Sequence, residues 1–121
     1  MQVNDVIINL NSPNPERLAE FYRDKVGLPQ LEGMGPTAFR AGPAAFIIDG
    51  HSEVNGPAEQ PARWLFNLRV PDVQAEQERM KQAGVKFIRE LGQEYWGGVI
   101  STFVDPDGNY VQLINWQDQA S

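Results

Sequence analysis

Apolar residues come in short bursts separated by polar turns. Val6-Ile7-Ile8-Asn9-Leu10 is β-branched and apolar, and it predicts a strand. Asn14-Pro15-Glu16 then reads as a helix start. Asn14 is the N-cap, Pro15 takes the first helical position, and Glu16 sits near the positive end of the helix dipole. Leu18, Phe21 and Tyr22 follow at i, i+3 and i+4, which is one helix face, so the spacing predicts a helix over 14–26 that stops at Gly27. Thr37 to Arg40, a turn at Ala41-Gly42-Pro43 and Ala44 to Ile48 predict a hairpin. Residues 50–62, with Gly56, Pro57 and Pro61 and few apolar side chains, form a surface linker. Trp64 to Val70 predicts another strand. Asp72 caps a second helix over 72–83, with Val73, Met80 and Ala83 near one face and Gly84 after it. Val85 to Leu91 and Val99 to Val104 are two more strands. A tight turn at Asp105-Pro106-Asp107-Gly108 precedes the last strand, Tyr110 to Asn115.

Two of these bursts match. Ile8-Asn9-Leu10 with Ser12-Pro13-Asn14 parallels Phe66-Asn67-Leu68 with Val70-Pro71-Asp72, and Asn9 and Asn67 stand 58 positions apart, as do Pro13 and Pro71. Gly42 before Ala44 to Ile48 parallels Gly108 before Tyr110 to Ile114. A long repeat that occurs twice points to a duplicated supersecondary unit, because a solenoid needs three or more. The expectation is an α+β fold of eight strands. Two βαβββ modules, over residues 1–50 and 62–117, stand in tandem and form a cupped mixed sheet around a central cavity. Half a unit this small can hardly cover both faces of its own sheet. Alternation then sorts the side chains. With Val6, Ile8 and Leu10 on the helix, Ile7, Asn9 and Asn11 face the cavity, as do Leu65, Asn67 and Arg69. Tyr110, Gln112 and Ile114 join them from the last strand, and Ala44, Phe46 and Ile48 are the expected first-half partners.

Composition narrows the function. A chain of 121 residues that is 41% hydrophobic fits one domain with a real core. There is no cysteine, which removes disulfides, thiolate metal sites and cysteine nucleophiles together and fits a reducing, cytoplasmic setting. The start shows neither a basic n-region nor a long apolar core, and no stretch approaches membrane-span length. The net charge of −6, without a basic stripe, argues against nucleic acid. It would tolerate or gently steer a cationic small molecule.

Two segments resemble a known family. Phe21-Tyr22-Arg23-Asp24-Lys25-Val26-Gly27-Leu28 is similar to the helix-end signature of the glyoxalase, bleomycin-resistance and extradiol-dioxygenase (vicinal oxygen chelate) superfamily. Phe103-Val104-Asp105-Pro106-Asp107-Gly108-Asn109-Tyr110-Val111-Gln112-Leu113 is similar to its second signature, and Trp96-Gly97 upstream also fits. The resemblance implies paired βαβββ modules, often arranged across a homodimer. It leaves activity open among lyases, isomerases, epimerases, dioxygenases, fosfomycin-modifying transferases and drug-binding proteins without catalysis.

The resemblance also implies where a metal would sit. The ligand positions of metal-dependent members fall on Ile7, Phe46, Leu65 and Gln112. Three carry no donor atom, and one neutral glutamine does not hold a divalent ion. Asp5 and Arg63, two residues earlier, do not rescue the site. No metal and no cofactor is therefore expected. His51, the single histidine, falls in the linker, where a solvated loop side chain is the ordinary outcome; it would serve as acid or base only if that loop covered the cavity mouth.

What remains is a binding surface. Ile7, Phe46, Leu65 and Ile114 supply apolar wall, and Asn9, Asn67, Tyr110, Gln112 and Arg69 supply polar contacts. Asparagine is disfavoured in strands, so its presence twice at one register asks for a hydrogen-bond role. Arg69 stands near a sheet edge, where arginines are commonly solvated. Trp96, between Tyr95 and Gly97-Gly98, is placed to stack on a planar ligand, while Trp64 and Trp116 read as packing or dimer-contact residues. The leading expectation is a metal-independent, homodimeric binding protein that sequesters a small planar or cationic organic molecule, such as an antibiotic. The alternatives are an enzyme (lyase, isomerase or dioxygenase-like) with a displaced metal site at Asp5, Gln112 or His51, and a structural module whose cavity is filled by its own side chains.

Overall fold

The computed structural model describes residues 1–117. The chain divides into two compact units, and the break falls between Pro57 and Ala58, inside the expected linker. Each unit carries one helical segment and one mixed sheet, so the fold is α+β.

The first unit runs β1 (Ile7–Asn11), α1 (Pro15–Phe21), a π-helical turn (Tyr22–Val26), β2 (Ala38–Ala41) and β3 (Ala44–Asp49). The predicted start of α1 holds: the Asn14 Oδ1 accepts from the Arg17 N–H at 3.2 Å, and Pro15 opens the helix. The helix does not stay α-helical to its end. It widens into the π turn, and Gly27 closes it at φ 88°, a conformation that side chains with a Cβ rarely adopt. The sheet order is β1-β3-β2, with β1 parallel and β2 antiparallel to β3. Among the described residues there are seven strands, not eight. The missing strand of this unit is reduced to one bridge, Gln30 to Phe39. Prolines at 29 and 36 and glycines at 33 and 35 interrupt the segment that would have formed it.

The second unit runs β4 (Phe66–Arg69), α2 (Val73–Gln82), β5 (Lys86–Gln93), β6 (Val99–Val104) and β7 (Tyr110–Asn115), with sheet order β4-β7-β6-β5. Asp72 caps α2, its Oδ1 accepting from the Ala75 N–H at 3.0 Å. Before β7, the buried Asp105 ties the predicted tight turn. Its Oδ1 accepts from the N–H groups of Asp107 and Asn109, both at 2.9 Å, and the Asn109 amide binds the same carboxylate. Gly108 completes the turn at φ 83°.

Each sheet buries one face under its own helix. In the first unit Leu18, Phe21, Tyr22, Phe39, Phe46 and Ile48 are buried; in the second, Val73, Met80, Phe103, Val111 and Leu113 are. Phe46 is 3% exposed, and its ring meets Tyr22 edge-on at 5.0 Å. This corrects the expected face of β3. Phe46 and Ile48 belong to the core beneath the helix, and their alternates Ala45 and Ile47 occupy the other face. Strand pairing shows why. Ile8 pairs with Phe46 and Phe66 pairs with Val111, so the counterpart of Gln112 is Ile47. Counting from the two glycines is off by one residue, and one residue exchanges the faces of a strand.

A buried polar contact closes the second core. Strand β5 slips register between Arg89 and Gly92, leaving Leu91 out of the ladder. The Gln77 Oε1, reaching from α2, accepts from the Leu91 N–H at 2.6 Å and from the Ser101 hydroxyl at 2.7 Å. A side chain thus stands in for the missing strand partner.

Candidate functional site

The face of each sheet turned away from its helix holds most of the expected site residues. In the second unit, pairing places Asn67 beside Gln112 and Arg69 beside Ile114, with Thr102 on the other side of Gln112 and Val104 beside Tyr110. Alternation puts the side chains of Asn67, Arg69, Tyr110, Gln112 and Ile114 on one face with Ile100, Thr102 and Val104. The Gln112 Nε2 donates to the buried Thr102 Oγ1 at 3.3 Å, which ties the amide to the neighbouring strand. Asn67 is exposed beside it. Leu65 lies just before β4 and is partly exposed.

At one end of this face stands a stacked group. The guanidinium of Arg69 lies 3.6 Å over the Trp116 ring, inside the range of a cation–π contact. Bonds that it donates to the Asn115 Oδ1 at 3.0 Å and the Trp116 carbonyl at 2.8 Å help hold it there. Asn115 is itself tied to the Pro71 carbonyl. Trp96 meets Trp116 at 6.5 Å between centroids and 71° between planes. The seat of Trp96 is Gly98. A Cβ there would fall 1.9 Å from the indole Cζ3, so the ring lies directly against the glycine backbone. The loop holding Trp96 is closed by Glu94 N–H to Gly98 O at 2.8 Å and Gly97 N–H to Glu94 O at 3.0 Å. Trp96 and Trp116 keep 44% and 41% of their surface in solvent.

From sequence, Trp96 reads as a stacking residue, Trp116 as a packing or dimer-contact residue, and Arg69 as a polar contact near a sheet edge, where arginines are commonly solvated. The stack joins residues 47 positions apart in sequence, so no local pattern reveals it. The available signal was the glycine two positions after Trp96.

In the first unit Ile7 and Asn9 pair with Ala45 and Ile47 on the corresponding face. Ile7 is 62% exposed, and Asn9 is exposed as well. Neither Asn9 nor Asn67 makes a side-chain hydrogen bond among the described residues, so their repeated register is not explained by bonding within either unit. Phe46 is excluded from this face by its packing on Tyr22. His51 stays in the linker, where its Nδ1 accepts from the Glu53 N–H at 3.1 Å, a local loop contact.

The ionisable groups with displaced titration belong to helical segments. A hydrogen bond from Arg23 holds the Asp24 carboxyl below the usual carboxylate range, and one from Lys81 to Glu90 raises the Lys81 ammonium.

Fold and faces together define a class: an α+β protein built from two helix-backed mixed sheets whose uncovered faces carry aromatic and amide side chains. The chain belongs to the Glyoxalase/Bleomycin resistance protein/Dioxygenase superfamily, whose sequence profile matches residues 6–113. No curated protein sequence matches it. Solved structures share its fold. TioX from Micromonospora sp. ML1 has TM-score 0.75 at 15% identity, covering 95% of this chain and 100% of its own. A superfamily member from Sphaerobacter thermophilus DSM 20745 has TM-score 0.74 at 16% identity, covering 93% and 97%. UcmS2 has TM-score 0.73 at 20% identity, covering 94% and 98%.

Many members of this superfamily use a divalent metal, so the donor set needs testing here. With the register corrected, the four positions hold Ile7, Ile47, Leu65 and Gln112. Only glutamine offers an oxygen, and a divalent ion needs several carboxylate or imidazole donors. Among the described residues, no three His, Cys, Asp or Glu side chains gather in metal-binding proximity. The residues do not fit the ion. No described helix is long and apolar enough to cross a membrane.

Proposed function

We propose that this protein is a metal-independent binder that sequesters a small planar organic molecule, an antibiotic being the leading class, and that it works as a homodimer. The observation that carries this reading is the Trp96–Trp116–Arg69 stack. Two indoles keep over two-fifths of their surface in solvent although each is fixed in place, Trp96 on Gly98 and Trp116 under a tethered guanidinium. Preorganised aromatic faces beside oriented amides are the usual makeup of a small-molecule site. Ring stacking on Trp96 contributes on the order of 1 kcal/mol, and Gln112 supplies an anchored amide on β7, the strand that leads to Trp116.

The test is a thermal-shift and tryptophan-fluorescence screen of planar antibiotics and simple aromatic compounds. A binder should raise the melting temperature as mass action requires and quench Trp96. Trp96→Ala is expected to weaken that binder about tenfold or less, and Gln112→Ala should weaken it too, with the fold intact by circular dichroism. A screen in which no compound shifts the wild-type transition contradicts the proposal. Turnover of a hit replaces it with an enzymatic one. Sedimentation equilibrium tests the dimer.

A further inference from the structure

The joint between the two units carries a reactive pair of residues that neither sheet uses. Asn55 precedes Gly56, and no other asparagine in the chain precedes a glycine. Asn55 is exposed. Gly56 takes φ 82°, and nothing stands within 4 Å of the place a Cβ would occupy. Backbone bonds pin the chain on either side, from the Val54 N–H to the His51 carbonyl at 3.0 Å and from the Ala58 N–H to the Asp107 carbonyl at 2.9 Å. Among the described residues, neither the Asn55 side chain nor the Gly56 N–H makes a hydrogen bond. Comparable steps elsewhere are protected. Asp107 precedes Gly108, but the Gly108 N–H donates to the Asp105 carbonyl at 3.0 Å, and Asp107 is buried. Asp49 precedes Gly50, but it pairs with Asn11, and its carbonyl accepts from the Ser12 N–H at 2.8 Å. That bond also occupies the N–H that follows Asn11. Asn14 precedes a proline, which has no N–H. The amides of Asn109 and Asn115 are bound to the Asp105 carboxylate and the Pro71 carbonyl.

We propose that Asn55 is a site of spontaneous deamidation, where the joint converts to aspartate and isoaspartate without an enzyme. The Gly56 backbone nitrogen attacks the side-chain carbonyl carbon of Asn55. A bond forms between that nitrogen and Cγ, and the bond from Cγ to the amide nitrogen breaks. The amide nitrogen leaves as ammonia, taking the proton of the Gly56 N–H. The product is a five-membered imide. Water then adds to one of its two carbonyls and reopens the ring, giving aspartate from one and isoaspartate from the other. The attack needs the backbone at Asn55 and Gly56 to rotate, which an exposed loop allows and a hydrogen-bonded turn resists. Glycine favours it by placing no Cβ beside the attacking nitrogen. A carboxamide is also a better electrophile than a carboxylate, which separates Asn55 from Asp49. Each conversion adds one negative charge to a chain that already carries −6. Isoaspartate also inserts an extra main-chain carbon between the units, while the residues of both cores are unchanged.

The experiment incubates the 121-residue chain at mildly alkaline pH, folded and in urea, and maps its peptides by mass spectrometry after separating aspartate from isoaspartate forms. In the folded protein the Asn55 peptide should convert about tenfold faster, or more, than any peptide holding another asparagine. Its rate in urea should stay within about threefold of the folded rate, because the fold does not shield it. Hydroxylamine, which opens the imide, should cut the folded chain into fragments 1–55 and 56–121. Asn55→Gln should suppress both the conversion and the cut while leaving the melting temperature unchanged. If Asn55 keeps its amide in the folded protein but converts in urea, the linker shields it and the assignment is wrong. Reaction at another asparagine, or at Asp107, ahead of Asn55 in the folded chain refutes it as well, as does an Asn55 that converts in neither state.

Discussion

Replacing Gln77 with methionine removes a buried acceptor, together with the 3.1 Å bond that its Nε2 donates to Glu78. The side chain is 4% exposed, and methionine keeps its length and most of its volume while deleting the acceptor. Two donors then lose their partner: the Leu91 N–H, bound at 2.6 Å, and the Ser101 hydroxyl, bound at 2.7 Å. They are not equally stranded. The hydroxyl can rotate toward the Arg89 carbonyl, already 3.5 Å away, whereas the Leu91 N–H sits at the slipped register of β5. A buried donor left unmade costs about 1–3 kcal/mol, so the variant should lose about 2–3 kcal/mol, most of it at Leu91. Ser101→Ala, which removes a donor with its need for an acceptor, should lose about 1 kcal/mol. The double variant should lose less than the sum, because the hydroxyl is no longer present to be stranded. The assay is urea unfolding followed by tryptophan fluorescence. Trp64, Trp96 and Trp116 all lie in the second unit, so the signal reports the unit that contains Gln77. A Gln77→Met variant within about 0.5 kcal/mol of wild type, or strict additivity in the double variant, would refute the role given to this side chain.

Other outcomes can be checked in parallel. Gly98→Ala should drive the Trp96 ring off its seat, because a Cβ would also meet the Asn115 carbonyl at 2.9 Å; a red-shifted emission and weaker quenching by ring compounds are expected. Asp105→Ala removes the buried carboxylate that accepts from two backbone N–H groups and the Asn109 amide, and should lower stability by about 3 kcal/mol in the same urea assay. Elemental analysis of protein purified without chelator should find far less than one zinc, iron, nickel or manganese per chain, since Ile7, Ile47 and Leu65 have no donor atoms; one equivalent would overturn the metal-independent proposal.

Local chemistry was the part of the fold most legible in the sequence. Both helix caps, Asn14 and Asp72, and the Asp105 to Gly108 turn are settled within a few residues, so their side chains announce them. The matched asparagines likewise revealed the shared register of β1 and β4. Phe46 was misassigned because its face depends on cross-strand pairing, which glycine spacing cannot supply when the two units differ in the turns before their last strands. The shortened strand at Gln30 was overestimated for a related reason. A symmetric count was extended into a segment whose prolines and glycines break it. At the site, alternation correctly grouped Asn67, Arg69, Gln112 and Ile114. The Arg69–Trp116 contact stayed hidden because it forms only once β4 and β7 are paired.

The seat of Trp96 constrains how this loop can evolve. With no room for a Cβ beneath the indole, positions 96 and 98 are not independent. A lineage that keeps tryptophan at 96 must keep glycine at 98, whereas one that loses the tryptophan is only partly released, because a Cβ at 98 would still meet the Asn115 carbonyl at 2.9 Å. The dependence therefore runs one way: a descendant with any larger residue at 98 has given up this seat for the aromatic corner.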